Sequence, residues 1–184
     1  MRDKYILHIK NALSQECCID LISSLEYSPN KKFNPHTGYE YIVQSIHSLP
    51  TVRDVLIKGS TIYKAKHSFL ERRNVRWSVD RTFNIQKFSP KKYYGWTNSA
   101  PPEESEHCEH GSEDGSQLRM VVWMIYLNDI KKDGGTRWPQ QNFTSKPRAG
   151  DLYIWPAGWT HSHHGIPAPK ENKYLMTGWY SLIK

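Results

Sequence analysis

His107 and Glu109, two residues apart in "EHCEHG", are the side chains in this sequence best suited to join in chemistry. In extended backbone, residues at i and i+2 point to one side, so an imidazole nitrogen and a carboxylate oxygen can close on one ion. A third donor from a distant histidine would complete a two-histidine, one-carboxylate facial set, which suits iron(II) and leaves coordination positions open. Alone, a His-x-Glu in an acidic loop reads as solvated surface, so the metal reading depends on a partner. Candidates lie in "THSHHG", where His161 and His163 share one side of an extended chain and His164 points away from them as a surface group. Parity leaves both His161 and His163 open.

A second feature lies in "KYLMTGWYSL". The two-residue period of a strand puts Lys173, Leu175, Thr177 and Trp179 on one face. A lysine facing inward needs an anionic partner, because burying an unpaired ammonium is costly. In "RMVVWMIYLN" the same period puts Tyr126 beside Val122 and Met124.

These residues need a scaffold, and the flanking pattern predicts one. Residues 5–9, "YILHI", read as a short strand. In "LSQECCIDLISSLEY", Ser14 stands at an N-cap position and Cys18, Leu21, Ile22 and Leu25 fall on one helical face. Residues 28–41, "SPNKKFNPHTGYEY", are expected as loop. Residues 50–73 are expected as a helix with a capping-box-like start at Thr51 and Asp54. From Trp77 onward the texture changes to β-rich runs, "RTFNIQKF", "RMVVWMIYLN", "GDLYIW" and "KYLMTGWYSL", with a polar loop over residues 97–117. The layout predicted is α+β: one domain over residues 1–184, helical to about residue 76 and β-rich from 77, with helices backing a sheet sandwich.

The chain has 184 residues and a formal net charge of +7, which favours acidic partners such as nucleic acid or anionic substrates. Its basic residues are spread through "NKKF", "ERRNVRW" and "SPKKYY", so solvated surface is the leading reading and nucleic acid a minor one. The odd count of three cysteines, Cys17, Cys18 and Cys108, fits a reducing compartment. The N-terminus lacks the pattern of a signal peptide, and no window approaches the ~18 apolar residues of a membrane span. A soluble, cytoplasmic protein without membrane partners is the expectation. Without a G-x-S-x-G elbow or C-x₂-C pairs, hydrolase and zinc-finger chemistry are disfavoured.

Taken in order, "FNIQKF", "YYGW", the His-x-Glu pair, "RMVVWMIYLNDI", "GGTRWP", "PRAGDLYIWP" and "HHGIPAPKENKYLMTGW" resemble the iron(II)- and 2-oxoglutarate-dependent oxygenases of the prolyl 4-hydroxylase type. The resemblance runs from about residue 81 to the end, with a weaker echo in "ALSQECCIDLI". It implies a double-stranded β-helix, the cupin-like jelly roll, backed by N-terminal helices. His107 and Glu109 match the proximal iron ligands. His163 matches the distal one, since Gly165, Pro167 and Lys173 follow it at the family's spacing, with His161 as runner-up. Lys173 matches the basic residue that holds the distal carboxylate of 2-oxoglutarate, Thr177 a nearby hydroxyl donor, and Tyr126 a tyrosine that reaches the same carboxylate. Gly134 and Gly135 match a glycine turn. Arg137, Trp155 and Trp159 are candidates for a substrate rim, and Trp138 for rim or core.

The implied reaction couples oxidative decarboxylation of 2-oxoglutarate to insertion of oxygen into a substrate C–H bond. Its cofactors would be iron(II), 2-oxoglutarate as co-substrate, O₂, and ascorbate as a candidate reductant. Its substrate would be a peptide or protein side chain. Two departures stand out. Glu109 replaces the aspartate that most members carry, and residues 97–106 separate Trp96 from His107, as an insertion that covers or shapes the entrance. Two other readings follow: a non-catalytic metal- or ligand-binding β-sandwich of the same fold, and a nucleic-acid-modifying oxygenase of the same superfamily.

Overall fold

The structure, a computed structural model, describes residues 4–35, 38–72, 75–90, 106–110 and 118–183. Its centre is β11 (Lys173–Leu182), which pairs antiparallel with β6 (Arg119–Tyr126) on one side and β5 (Thr82–Phe88) on the other. β9 (Leu152–Pro156) and then β1 (Leu7–Ile9) extend the sheet past β6. β3 (Tyr39–Ser45) and β2 (Lys32–Asn34) extend it past β5, and β4 (Trp77–Val79) adds to the far end of β11, making eight strands. A second sheet of three strands holds β7 (Thr136–Trp138) between β8 (Phe143–Thr144) and β10 (His164–Gly165).

Both faces of the large sheet are covered, so β6 and β9 are apolar almost throughout instead of alternating with polar residues. β6 sends Val121, Trp123 and Ile125 to one side, where they join Ile154, Met176 and Tyr180. Two helices close this side, α1 (Gln15–Glu26) and α2 (Pro50–Lys66), through Cys18, Leu21, Leu25, Val52 and Leu56. On the other side Val122, Met124, Tyr126, Tyr153, Trp155 and Leu175 meet Trp138, with Phe143 of the small sheet packed against them. Each such side chain contributes about 1.5–3 kcal/mol on burial, which makes the strands between the two layers a stiff platform.

The first helix follows the predicted pattern: Ser14 Oγ accepts from the Cys17 amide at 3.1 Å, and Cys18, Leu21 and Leu25 are buried while Ile22 is half-buried. Other expectations need correction. Thr51 and Asp54 form no capping box, because Pro50 takes the first helical position, where its missing N–H costs nothing. Asp54 pairs with Arg53 at 3.2 Å instead, and a short α3 (Phe69–Arg72) follows. Residues 28–41 are not all loop: β2 lies within them and β3 begins there, with Gly38 N donating to Asn34 O at 2.8 Å to close the hairpin. The N-terminal part is therefore not purely helical, since β1, β2 and β3 all enter the large sheet. The predicted insertion falls, over residues 97–105, outside the described residues. Among the described residues, no helix is long and apolar enough to cross a membrane.

The predicted glycine turn is present, with Gly134 at φ +73° and a Cβ on Gly135 only 2.2 Å from the Ser145 carbonyl oxygen. A second glycine sets the packing of β11, where a Cβ on Gly178 would lie 2.7 Å from Trp123 Cζ2 and 3.0 Å from Phe83 Cβ. Gly178→Ala is expected to destabilise the fold by about 1–3 kcal/mol, read as a lower urea midpoint at unchanged m value.

Candidate metal centre

The segment around His107 is joined to the segment around His163 by an isolated antiparallel bridge. His107 N donates to His163 O at 3.0 Å, and His163 N donates to His107 O at 2.9 Å. Glu109 N donates to Ala157 O at 2.9 Å, which holds the 107–109 stretch straight enough for both side chains to turn inward. His107 Nε2 comes within 3.4 Å of Glu109 Oε1, and His163 Nε2 within 4.0 Å of the same oxygen. The donor atoms of the three residues all lie within 4.8 Å of one another. Metal bonds of about 2.0–2.2 Å place neighbouring donors about 3 Å apart, so modest side-chain rotation lets one ion reach all three.

The surroundings of His163 suit the role of a ligand. Its Nδ1 lies 3.1 Å from the His161 carbonyl oxygen. A carbonyl can only accept, so Nδ1 carries the proton and Nε2 keeps its lone pair for the site. The ring packs edge-on to Trp155 at 5.0 Å and beside Trp138 at 6.0 Å. Burial, and then the neighbouring His107, push its pKa down to about 4, which keeps the imidazole neutral. Burial works against ionisation of Glu109, but the hydrogen bond and charge of His107, followed by His163 and the Trp179 indole, turn its net shift downward. A neutral His163 beside an ionised Glu109 is the pair of protonation states that a divalent cation requires of these two ligands.

The structure separates the three clustered histidines. His161 is buried and turned elsewhere, with Nε2 3.0 Å from Lys4 O and Nδ1 3.1 Å from Thr160 Oγ1. His164 is buried as well, contrary to its expected place on the surface; it lies on β10, which pairs with β7 within the small sheet. Trp155 and Trp138 are core residues and not rim, with rings 5.0 Å apart and fully enclosed. Arg137 is held within its hairpin by Thr144 Oγ1 at 3.2 Å and Asn142 Oδ1 at 2.8 Å. Trp159 is 76% exposed on the 3-10 turn just before His163.

Lys173 is 3% exposed. Its ammonium lies 5.2 Å from the centre of the Phe88 ring, and among the described residues no carboxylate or hydrogen-bond acceptor engages it. Desolvation pushes its pKa down to about 7. Thr177, on the same face, donates to Trp123 O at 3.2 Å. Tyr126 is fully buried, with its hydroxyl 2.7 Å from Ser145 Oγ and 3.0 Å from Thr136 Oγ1. Burial raises its pKa far above the ordinary tyrosine value. A buried lysine with no anionic partner among the described residues has the chemistry to take a small dianion such as a dicarboxylate.

Two residues with no role assigned from sequence contact Glu109, and a third, Tyr39, lies on β3, which pairs with β5. Trp179 Nε1 donates to Glu109 Oε2 at 3.0 Å, and Arg119 Nη1 lies 3.6 Å from that oxygen. Trp179 was placed on the Lys173 face by its period, but no local pattern predicts a bond to Glu109, 70 residues away. Tyr39, in the stretch read as loop, tilts against Phe88 at 5.0 Å and meets Tyr41 edge-on at 5.6 Å. Burial raises its pKa, with a further contribution from the charge of Glu109.

Residues 97–181 match the family model described as the 2OG-Fe(II) oxygenase superfamily. A protein of Acanthamoeba polyphaga mimivirus described as "Putative prolyl 4-hydroxylase" is 27% identical over 115 residues, 58% of this chain and 47% of that protein. The chain thus spans about half the length of this relative. Among solved structures, the viral collagen prolyl hydroxylase of Paramecium bursaria Chlorella virus-1, in a 2-oxoglutarate complex, superposes with TM-score 0.71 at 17% identity over 98% of this chain and 97% of that one. A Pseudomonas putida prolyl-4-hydroxylase gives 0.66 at 13% identity, over 97% and 93% of the two chains. A Trichoplax adhaerens prolyl hydroxylase, in complex with a peptide fragment of the hypoxia inducible factor oxygen degradation domain, gives 0.63 at 17% identity, over 96% and 83%. At these identities the likeness establishes the fold, mostly β-sheet and similar to that of prolyl hydroxylases.

Proposed function

We propose that this chain, whose residues 97–181 match the family model of the 2OG-Fe(II) oxygenase superfamily, is an iron(II)- and 2-oxoglutarate-dependent dioxygenase that hydroxylates a peptide or protein side chain, proline first among the candidates. The observation that carries this reading is the bridge between residues 107 and 163, which gathers His107, Glu109 and His163 within reach of one ion. The buried cation of Lys173 supports it. The pairing of β1, β2 and β3 into the large sheet supports reading residues 1–184 as one double-stranded β-helix domain, cupin-like and backed by α1 and α2. The free thiols of Cys17, Cys18 and Cys108 favour a reducing, cytoplasmic setting.

Bound iron(II) would supply the activation of O₂ that couples 2-oxoglutarate and a C–H bond to succinate, carbon dioxide and an alcohol, with ascorbate as a reductant. The protein's part is binding and exclusion of water. His107 and His163 would offer their Nε2 atoms, that of His163 on a neutral ring, and Glu109 one carboxylate oxygen. Lys173 would hold the distal carboxylate of 2-oxoglutarate, with Thr177 and Tyr126 as the candidate hydroxyl donors to it. Trp138 and Trp155, packed against the His163 ring, wall the metal end against solvent. Trp159 and Arg137 stand at the rim, where a peptide would lie.

The direct test is anaerobic addition of iron(II) and 2-oxoglutarate, which is expected to raise a metal-to-ligand charge-transfer band. Succinate release is then compared across peptides, free amino acids and nucleic acids, with stimulation by proline-containing peptides expected. Absence of both the band and any turnover would leave a non-catalytic β-sandwich as the better reading.

A further inference from the structure

The two oxygens of Glu109 have different surroundings. Oε2 receives the Trp179 indole N–H at 3.0 Å and has Arg119 Nη1 at 3.6 Å. Oε1 faces His107 Nε2 at 3.4 Å and His163 Nε2 at 4.0 Å. The far side of this arrangement is itself pinned. Arg119 Cζ lies 3.6 Å from the centre of the Trp179 ring, so the cation stacks on the ring whose N–H binds the carboxylate. Trp179 is fixed by pairing with Val122 in the middle of the sheet. At the near side, the Glu109 backbone is anchored to Ala157 O at 2.9 Å. The carboxylate thus spans two fixed structures, the 107–109 stretch and β11.

From this we infer that Trp179 and Arg119 are positioning residues for the metal carboxylate, and that the site is built to the length of a glutamate. The inference rests on the metal reading proposed above. Held at Oε2, Glu109 turns Oε1 alone toward the ion and cannot chelate with both oxygens. An aspartate here is shorter by about 1.5 Å, one C–C bond, and reaches the ion or the indole but not both. Hydrogen bonds to metal-bound carboxylates commonly hold tenfold or greater shares of metal affinity. In this chain the aspartate is therefore the weaker ligand, although it is the residue most members of the resembled family carry.

Cobalt(II), whose visible absorption reports its coordination, tests this on the full chain. Trp179→Phe is expected to weaken cobalt(II) binding by about 10- to 100-fold and to alter the visible spectrum as the freed carboxylate rotates. Glu109→Asp is expected to lose a similar factor, and the double variant to be no worse than Glu109→Asp alone, because the bond to the indole is already gone. Arg119→Gln leaves the indole in place and is expected to lose several-fold, which keeps the test valid if Trp179→Phe fails to fold by circular dichroism. Wild-type protein that takes up no cobalt overturns the metal reading and this inference with it. Wild-type binding, with Glu109→Asp equally tight or with the folded Trp179 and Arg119 variants unchanged in affinity and spectrum, overturns the inference alone.

Discussion

His163→Ala is expected to abolish iron(II)-dependent turnover of 2-oxoglutarate and to weaken metal binding by more than about a hundredfold, whereas His161→Ala keeps both within about tenfold of wild type. The contrast follows from where the two rings point. His163 offers Nε2 to the site with its proton fixed on Nδ1 by the His161 carbonyl. That carbonyl belongs to the backbone and survives in His161→Ala. What His161→Ala removes is a pair of part-buried hydrogen bonds, to Lys4 O and Thr160 Oγ1, at about 1–3 kcal/mol of stability. The two variants should therefore separate cleanly: one loses metal and keeps its fold, the other loses stability and keeps metal. Equilibrium dialysis for iron, succinate release and urea denaturation measure the three quantities. Wild-type iron affinity in His163→Ala, or its loss in His161→Ala, would reverse the assignment of the third donor.

What the sequence allowed and what it concealed divide along the range of the interaction. The side shared by His107 and Glu109 follows from a two-residue period, and the Ser14 cap and the buried face of α1 from helical spacing, all set within a few residues. His163 was separable from His161 only through the motif spacing to Lys173, since both have the same parity. His164 was misplaced because alternation assumes that one side of a strand is wet. Here the neighbouring His163 and His164 are both buried, and β10 is held in the small sheet by β7, a pairing between residues far apart in the chain. Trp155 was misjudged in the same way, since its burial depends on Trp138 from the small sheet. β2 and β3 lie in a polar, proline-containing stretch whose composition reads as loop and outweighs the aromatic alternation of Tyr39 and Tyr41. The hold of Trp179 and Arg119 on Glu109 has no local signature at all.

Lys173→Met is expected to raise the stability of the protein while removing its affinity for 2-oxoglutarate. The ammonium is buried with no acceptor among the described residues, and desolvation brings its pKa down to about 7 from an ordinary 10.5. The folded state therefore binds this proton less tightly than the unfolded chain does. The resulting destabilisation is full below pH 7 and fades as pH rises from about 7 toward 10.5. Methionine fills similar volume without the charge, so the variant should melt higher near neutral pH and lose that part of the pH dependence. The co-substrate reverses the balance, because its distal carboxylate restores the charged lysine. Binding should then take up a proton, to a growing extent above pH 7, and affinity should fall with rising pH by up to about tenfold per unit. Losing one partner of such a buried pair costs about 2–5 kcal/mol, on the order of 30-fold to several thousand-fold in affinity. Titration calorimetry in buffers of different ionisation enthalpy reads the proton uptake directly, and the uptake should vanish in Lys173→Met. A variant that binds 2-oxoglutarate as wild type does, with proton uptake unchanged, would remove Lys173 from the co-substrate site. A variant that melts lower would instead show that the buried ammonium has a partner that stabilises it in the absence of ligand.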